Sequence, residues 1–320
     1  MSGRVEVVVA TVGRPSLRRT LAPVAGRVPV VVVDDRPDDR PGGGAALDLP
    51  AGVRVLRSGG RGPAAARNVG WRSSTADWVA FLDDDVEPGD EWLTTLHDDL
   101  AACGDEAGGS QGRIVVPLPT RRRPTDWERS TAGLETALWA TADITYRRVV
   151  LEAVGGFDER FPRAYREDAD LGLRVVRAGW RIERGRRSVH HPVRPVSWQQ
   201  SIRSQRGNAD DVLMRALHGR DWRSAAHVPR GRRRWHLATT ACLAGTLAMR
   251  DRTRGFAAVG WVALTADLAA RRIGPGPRTP REVATMLATS AVLPLAATWH
   301  WGSGWVRLPG QLARGGPGPG

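Results

Sequence analysis

Three consecutive carboxylates, Asp83, Asp84 and Asp85, end the apolar run VAFLDDDVEP over Val79–Pro88. Like charges crowded at a strand end cost energy unless something positive neutralises them. Oxygen-only ligands of this kind suit a hard divalent cation such as Mg²⁺ or Mn²⁺. Ligands of open α/β sheets bind outside the carboxyl ends of the strands, which is where this triplet falls. Two further acid pairs occupy comparable positions. Asp34-Asp35 closes VVVVDD, where a turn-capping role is the plain alternative. Glu167-Asp168 opens the helical pattern EDADLGLR, where acids in the first turn also favour the macrodipole.

The elements that must position these acids follow from the apolar periodicity. Val5–Val12, Val28–Val33, Val53–Leu56 and Asp77–Leu82 read as strands. A turn and helix with Ser16 as N-cap follow the first of them, and GRGPAAARNVGWRSS is a loop entering a helix. Strand–helix alternation predicts an α/β fold with a doubly wound, mainly parallel sheet. Glu91–Cys103 continues it as a helix, Gln111–Val116 and Ala140–Tyr146 as strands, and PLPTRRRPTDWE as a long polar loop. Arg147–Val154 is a short helix stopped by Gly155-Gly156, Glu167–Ala178 is a helix ended by Gly179, and Trp180–His190 returns as strand and loop.

With 320 residues the chain can hold one large α/β domain and an appendage. Its net charge is +13, and every basic side chain other than histidine is an arginine. Such a charge invites a nucleic-acid reading. The distribution argues against it, because the acids lie in the N-terminal two thirds while the runs Arg121–Arg123, Arg232–Arg234 and Arg271-Arg272 border hydrophobic or proline-rich stretches. That pattern fits an anionic membrane surface or phosphorylated substrates. Cys103 and Cys242 imply neither a disulfide framework nor a thiolate metal site, and no secretory signal is visible before the first strand.

Taken in order, VVVATVGRP, VVVVDDRPD, AARNVGW, FLDDDVEP, GGFDERF, REDADLGLR and HHPVRP form a set that resembles the family 2 glycosyltransferases. These are inverting enzymes with a GT-A fold that use nucleotide-diphosphate sugars. The resemblance spans Val5–Pro195. It implies that Thr11 and Asp35 hold the nucleotide base, the carboxylate accepting from a ring N–H. Arg67 and Asn68 lie behind that pocket, Arg61 reaches a phosphate, and Arg14 counts among the donor-binding residues. FLDDDVEP matches the DxD motif, so Asp83 and Asp85 would surround a Mn²⁺ or Mg²⁺ ion bridging the diphosphate, with Asp85 the direct ligand and Asp84 near the ribose. His191 is a third metal or diphosphate contact. By the same resemblance Asp168 is the general base toward an acceptor hydroxyl, and Glu167 positions acceptor or base. Asp170 is secondary. Gln200 and Arg203 match a Gln-x-x-Arg element of membrane-bound relatives, but Ser204 replaces the tryptophan that completes it, which speaks against a processive synthase.

The expected organisation is a catalytic domain over 1–197, an amphipathic, Arg-containing helical linker over 198–234, a hydrophobic helical and membrane-associated region over 235–308, and a disordered tail over 309–320. The apolar segments Trp235–Met249, Gly255–Ala270 and Val283–Trp301 are flanked by arginines and by Trp299, Trp301 and Trp305, as at a bilayer interface. The implied partners are a nucleotide-sugar donor, a hydroxyl acceptor on a lipid or glycan, and the cytoplasmic face of the membrane, with no nucleic acid. Two rival readings stand beside this one. A sugar nucleotidyltransferase of related fold would need a Gly-rich basic triphosphate loop where GRPSLRR stands, and would leave the Glu167-Asp168 pair unexplained. A non-catalytic membrane-associated scaffold would not need Asp35, Asp85 and Asp168 intact.

Overall fold

The computed structural model describes residues 3–37 and 45–316. In chain order the strands and helices are β1 Val5–Thr11, α1 Leu17–Leu21, β2 Val30–Asp34, β3 Arg54–Arg57, α2 Pro63–Arg72, β4 Trp78–Asp83, β5 Glu87–Pro88, α3 Trp92–Ala102 and β6 Ala107–Val115. Then come α4 Asp126–Ala132, β7 Asp143–Arg147, α5 Arg148–Val154, α6 Glu167–Arg177 and β8 Arg181–His190. The rest is helical: α7 Gln200–Arg203, α8 Asn208–His218, α9 Trp222–Ala225, α10 Arg233–Ala248, α11 Thr253–Ile273 and α12 Pro280–Ala313.

The strands form one sheet in the order β3-β2-β1-β4-β7-β6-β8-β5. Strands β1 to β4 pair in parallel, whereas β7 runs antiparallel to both β4 and β6. The apolar runs are continuous because both faces are covered. Val8, Val31, Val33, Val79 and Phe81 pack on the side of α2, α5 and α6. Val7, Val9, Val30, Val32, Ala80 and Leu82 pack on the opposite side, with α1 and α3. Helix α2 lies so close to β1 that a Cβ at Gly70 would sit 2.3 Å from a Val8 methyl carbon. A side chain there would push apart the two elements that carry Arg67 and Thr11.

Three expectations about local structure change. The polar loop after β6 contains α4, started by a capping box in which Thr125 and Glu128 bond each other's backbone. The segment expected as a linker joins the core instead. Leu213 and Met214 of α8 are fully buried in the α2-side cluster, and Arg163–Asp210 and Arg166–Asp211 ion pairs tie that helix to the chain before α6. Helix α12 continues through Pro309 to Ala313, so the first part of the expected tail is helical; 317–320 lie outside the described residues.

Candidate active site

The three aspartates leave the end of β4 in different directions. Asp83 turns inward, and its Oδ1 accepts from Arg67 Nη2 at 2.8 Å. Asp84 is only 2% exposed and accepts from Thr11 Oγ1 at 2.6 Å and from the Arg14 guanidinium. Burial pushes the Asp84 carboxyl above its ordinary range, opposed by Arg14 and by the Thr11 hydroxyl. Asp85 faces the cleft wall, with Arg194 Nε at 3.1 Å, Arg14 Nη1 at 3.4 Å and His191 Nε2 at 3.5 Å. His191 reaches this point because the strand after the triplet pairs antiparallel with the end of β8, Glu87 opposite His190.

Of the expected metal set, Asp85 and His191 come together and Asp83 does not join them. Among the described residues no three His, Cys, Asp or Glu side chains converge on one metal position. The pair nonetheless suits a divalent ion that takes its other ligands from a diphosphate and water, since Mg²⁺ commonly uses only one or two protein carboxylates. A carboxylate with an imidazole is also a donor set that Mn²⁺ accepts. The second ring nitrogen of His191, Nδ1, is buried with no hydrogen-bond partner.

The expected nucleotide-side residues separate into wall and fastening. Thr11 is 3% exposed, gives its hydroxyl to Asp84 and takes Gly13 N–H at 2.9 Å, which shapes the turn after β1. Asp35 accepts from Ser58 Oγ at 2.7 Å and from Gly62 N–H at 3.0 Å, pinning the loop before α2 against the end of β2. Arg61 on that loop is half-exposed and 3.2 Å from Glu159. Asn68 is 1% exposed and uses its whole amide. Its Nδ2 donates to Phe157 O and Glu159 Oε1, and its Oδ1 accepts from Phe157 N and Trp71 Nε1, all at 2.8–2.9 Å. Gly156, at φ +71°, lies against the same clasp; a Cβ there would meet Trp71 and Asn68 at 2.6–2.7 Å. Asn68 therefore holds the GGFDERF loop in place and has no free donor or acceptor for a nucleotide.

The acids expected on the acceptor side sit at the start of α6. Glu167 is buried and accepts from Arg67 Nη1 at 2.8 Å, so a single guanidinium joins Asp83 to Glu167. The other oxygen of Glu167 has no partner. Burial and the neighbouring Asp168 charge push the Glu167 carboxyl up to about 8, although Arg67 opposes this. Burial also raises Asp168, against a bond from the Ala169 N–H and the charges of Arg166 and Arg67. Two neighbouring carboxyls in one buried place oppose each other's ionisation. Asp168 stays partly open to solvent, while Glu167 does not. Asp170 points the other way, into an ion pair with Arg174 and His218.

Two residues that sequence reasoning passed over complete the site. Arg194 of the HHPVRP segment is the nearest cation to Asp85, and its place in that motif was the available signal. Arg166 adopts the left-handed conformation at φ +79° immediately before Glu167, a strained geometry for a non-glycine residue. It is clamped by Asp211 at 2.9 Å and by the Tyr165 and Trp222 rings, and nothing local in the sequence announces it. Gln200 and Arg203 remain among the 199–205 side chains: Arg203 bonds Gln199 and Gln200 bonds Ser204.

Residues 6–148, which carry the DxD strand and the pocket behind it, match the family profile of Glycosyl transferase family 2. These residues form a region of glycosyltransferase family 2. The chain is 30% identical over 185 residues to the pre-mycofactocin glycosyltransferase of Mycobacterium tuberculosis, a match spanning 52% of this chain. The chain covers 37% of that relative's length. It is 26% identical over 270 residues to the succinoglycan biosynthesis protein ExoM of Rhizobium meliloti, covering 75% of this chain and 82% of ExoM. Among solved structures, the mannosyltransferase PcManGT of Pyrobaculum calidifontis, in complex with GDP-Man and Mn²⁺, superposes with a TM-score of 0.51 at 17% identity, over 97% of this chain and 88% of that one. That likeness carries the fold, a mostly parallel GT-A sheet followed by C-terminal helices.

Proposed function

We propose that this chain is an inverting, metal-dependent glycosyltransferase that moves one sugar from a nucleotide-diphosphate sugar to a hydroxyl of a lipid-linked or cell-envelope glycan. The observation that carries the reading is the Asp83–Arg67–Glu167 bridge with the partly open Asp168 beside it. One buried guanidinium ties the DxD turn to Glu167, and Asp168 is the member of the pair left partly open to solvent. Asp168 takes the proton from the acceptor hydroxyl as that oxygen attacks the anomeric carbon, opposite the departing diphosphate. Asp85 and His191 would hold the divalent ion, which neutralises charge on the leaving diphosphate when bound. Asp35, the loop that it fastens and Arg61 form the base and phosphate wall. Arg14 and Arg194, both already at Asp85, lie where a donor's phosphates would arrive. PcManGT, by its description, binds GDP-Man and Mn²⁺, which supports a nucleotide-sugar and metal reading here.

The same proposal places the protein on the cytoplasmic membrane face. Fifteen arginines against four carboxylates follow residue 219. Phe256, Val259, Leu247, Trp299 and Val306 of α10–α12 are 69–82% exposed. Helix α12 is long and apolar enough to cross a bilayer, and a third of its most apolar window is buried inside the protein. Apolar side chains flanked by arginines suit the interface of an anionic leaflet. The deciding experiment is release of nucleoside diphosphate from UDP- and GDP-sugars by the purified chain, with and without Mn²⁺ or Mg²⁺. Metal-independent release, or none with any donor, would overturn the catalytic reading. Equal flotation with phosphatidylcholine and phosphatidylglycerol vesicles would overturn the electrostatic part of the membrane reading.

A further inference from the structure

Beside the donor cleft lies a cavity of about 830 Å³, walled by α4, by the segment from Val193 to Gln205 and by the first half of α12. This size is that of a ligand pocket, about 300–1,000 Å³. The cavity adjoins the metal corner through one residue. Arg194 lines it, places its Nε 3.1 Å from Asp85, and accepts through its backbone carbonyl from Trp127 Nε1 at 3.1 Å.

The geometry points to a saccharide in this cavity: we propose that it binds the glycan end of the acceptor, beside the donor site that Arg194 borders. The argument is the chemistry of the walls. A sugar ring offers one face of C–H groups and a rim of hydroxyls. The first packs on aromatic rings, and the second needs donors and acceptors on several sides. Trp127 and Trp198 supply the rings, and Trp198 is 56% exposed with no core packing to account for it. Hydroxyl and amide groups come from every wall: Thr125 at the start of α4, Ser201 and Gln200 from the middle segment, Thr285 from α12. The Ser201 hydroxyl is buried and has no hydrogen-bond partner within the protein, although it lines the cavity. A buried polar atom left unpaired is costly, and a ligand hydroxyl would pair it.

A hydrocarbon tail would find apolar walls at Val193, Val196, Met286 and Leu293, but it would leave Ser201 unpaired and would strip water from the carboxylates and guanidinia of α4. The apolar side chains suited to lipid lie instead on the outward faces of α10–α12. A lipid-linked acceptor would therefore keep its lipid outside that bundle and turn its sugars inward.

The inference takes its placement from the glycosyltransferase reading, but its test does not depend on that reading. The full chain, without donor or metal, is applied to an array of neutral and acidic oligosaccharides of two to six units, with undecaprenyl phosphate as the lipid probe. At least one saccharide series should bind, and Trp198→Ala should weaken it at least tenfold. Ser201→Ala, which removes the hydroxyl and adds no bulk, should weaken it about three- to tenfold. Binding of undecaprenyl phosphate alone, no saccharide bound, or saccharide binding indifferent to both variants would overturn the proposal. Diphosphate release without saccharide binding would sink this inference and spare the catalytic reading; saccharide binding without diphosphate release would do the reverse.

Discussion

Two arginines in this molecule are fully buried between pairs of carboxylates, and they do opposite things. Arg187, on β8, is 0% exposed and pairs with Asp143 at 2.8 Å and Asp99 at 3.3 Å. Its remaining N–H groups go to Ser110 and Thr145, and Trp92 Nε1 satisfies the other Asp143 oxygen. Both oxygens of Asp99 accept from the backbone of β8 as well. That cluster is closed: it fastens α3, β6, β7 and β8 and offers nothing to a ligand. Arg67 is 4% exposed and bridges Asp83 and Glu167, each at 2.8 Å. Here Asp83 is 27% exposed, Glu167 keeps an oxygen without a partner, and Asp168 opens to the cleft. A buried ion-pair network serves the fold when every valence is used inside it. It serves a reaction when the valences left over face a place that a substrate can reach.

Removing the open network's outermost group should give the largest functional effect. Asp168→Asn is expected to lower kcat by about 10²–10⁴, the usual worth of a positioned general base. Donor binding, read as a thermal shift with UDP- or GDP-sugar and Mn²⁺, should stay within about threefold. Near-normal turnover in this variant would remove the base from Asp168.

The two arginines can then be set against each other. Arg187→Met leaves Asp143 and Asp99 uncompensated in a fully buried place, which costs about 3–5 kcal/mol. Arg67→Met should cost less, about 1–3 kcal/mol, because Glu167 already carries a proton near neutral pH and Asp83 can reach water. Its activity, by contrast, should fall at least tenfold, whereas folded Arg187→Met should turn over normally. Chemical denaturation with kcat on the same samples reads both. If the two variants lose equal stability and equal activity, the distinction between a closed and an open network does not hold.

Much of this was legible in the chain. Apolar runs ending in acids announced the strands and the edge of the sheet where the site lies, and the ordered motifs implied which acids belong to the donor and which to the acceptor. What the sequence could not say is where each member of the DDD triplet points. Consecutive residues at a strand end turn to different sides, so Asp83 goes to Arg67, Asp84 to Thr11 and Asp85 to His191, a division set by partners 16 to 106 residues away. Asn68 carries the motif letter of a pocket residue, yet its amide is consumed by a loop that only the fold brings near. Arg194 meets Asp85 through the pairing of β5 with β8, a two-residue strand too short to leave a periodic signal. Helix α8 looked like a polar linker because the charges that dock it, Asp210 and Asp211, are the same letters that mark a solvated helix.

The open network should also show itself in pH dependence. Glu167 holds its proton up to about 8 in the folded chain, against an ordinary value of 4.5. Between those values the native state binds a proton that the unfolded chain has lost, so unfolding free energy falls as pH rises from about 4.5 to 8 and levels off above. Glu167→Gln lacks this slope. The two proteins should melt alike at pH 5, and the Gln variant should melt a few degrees higher at pH 8.5. Wild-type activity should decline above pH 8 as Glu167 ionises beside Asp168, and the variant should lose that decline. Parallel melting curves from pH 5 to 8.5 would show that the pair does not retain its proton.

The smallest effect belongs to the rim of the open network. Arg194 is 47% exposed, so its pairing with Asp85 is screened by water and salt. Arg194→Gln should therefore cost the fold almost nothing, within about 0.5 kcal/mol as for most surface changes. If it draws in the donor's diphosphate as proposed, the KM for nucleotide sugar should rise about three- to fivefold at low salt with kcat held. At high ionic strength the wild-type KM should climb toward that of the variant, because the interaction lost by mutation is then lost by screening. A KM difference that persists undiminished in 0.5 M salt would mean that Arg194 makes a direct, water-excluded contact with the donor. The boundary between the closed and open parts of the site would then lie one residue further out than the free structure draws it.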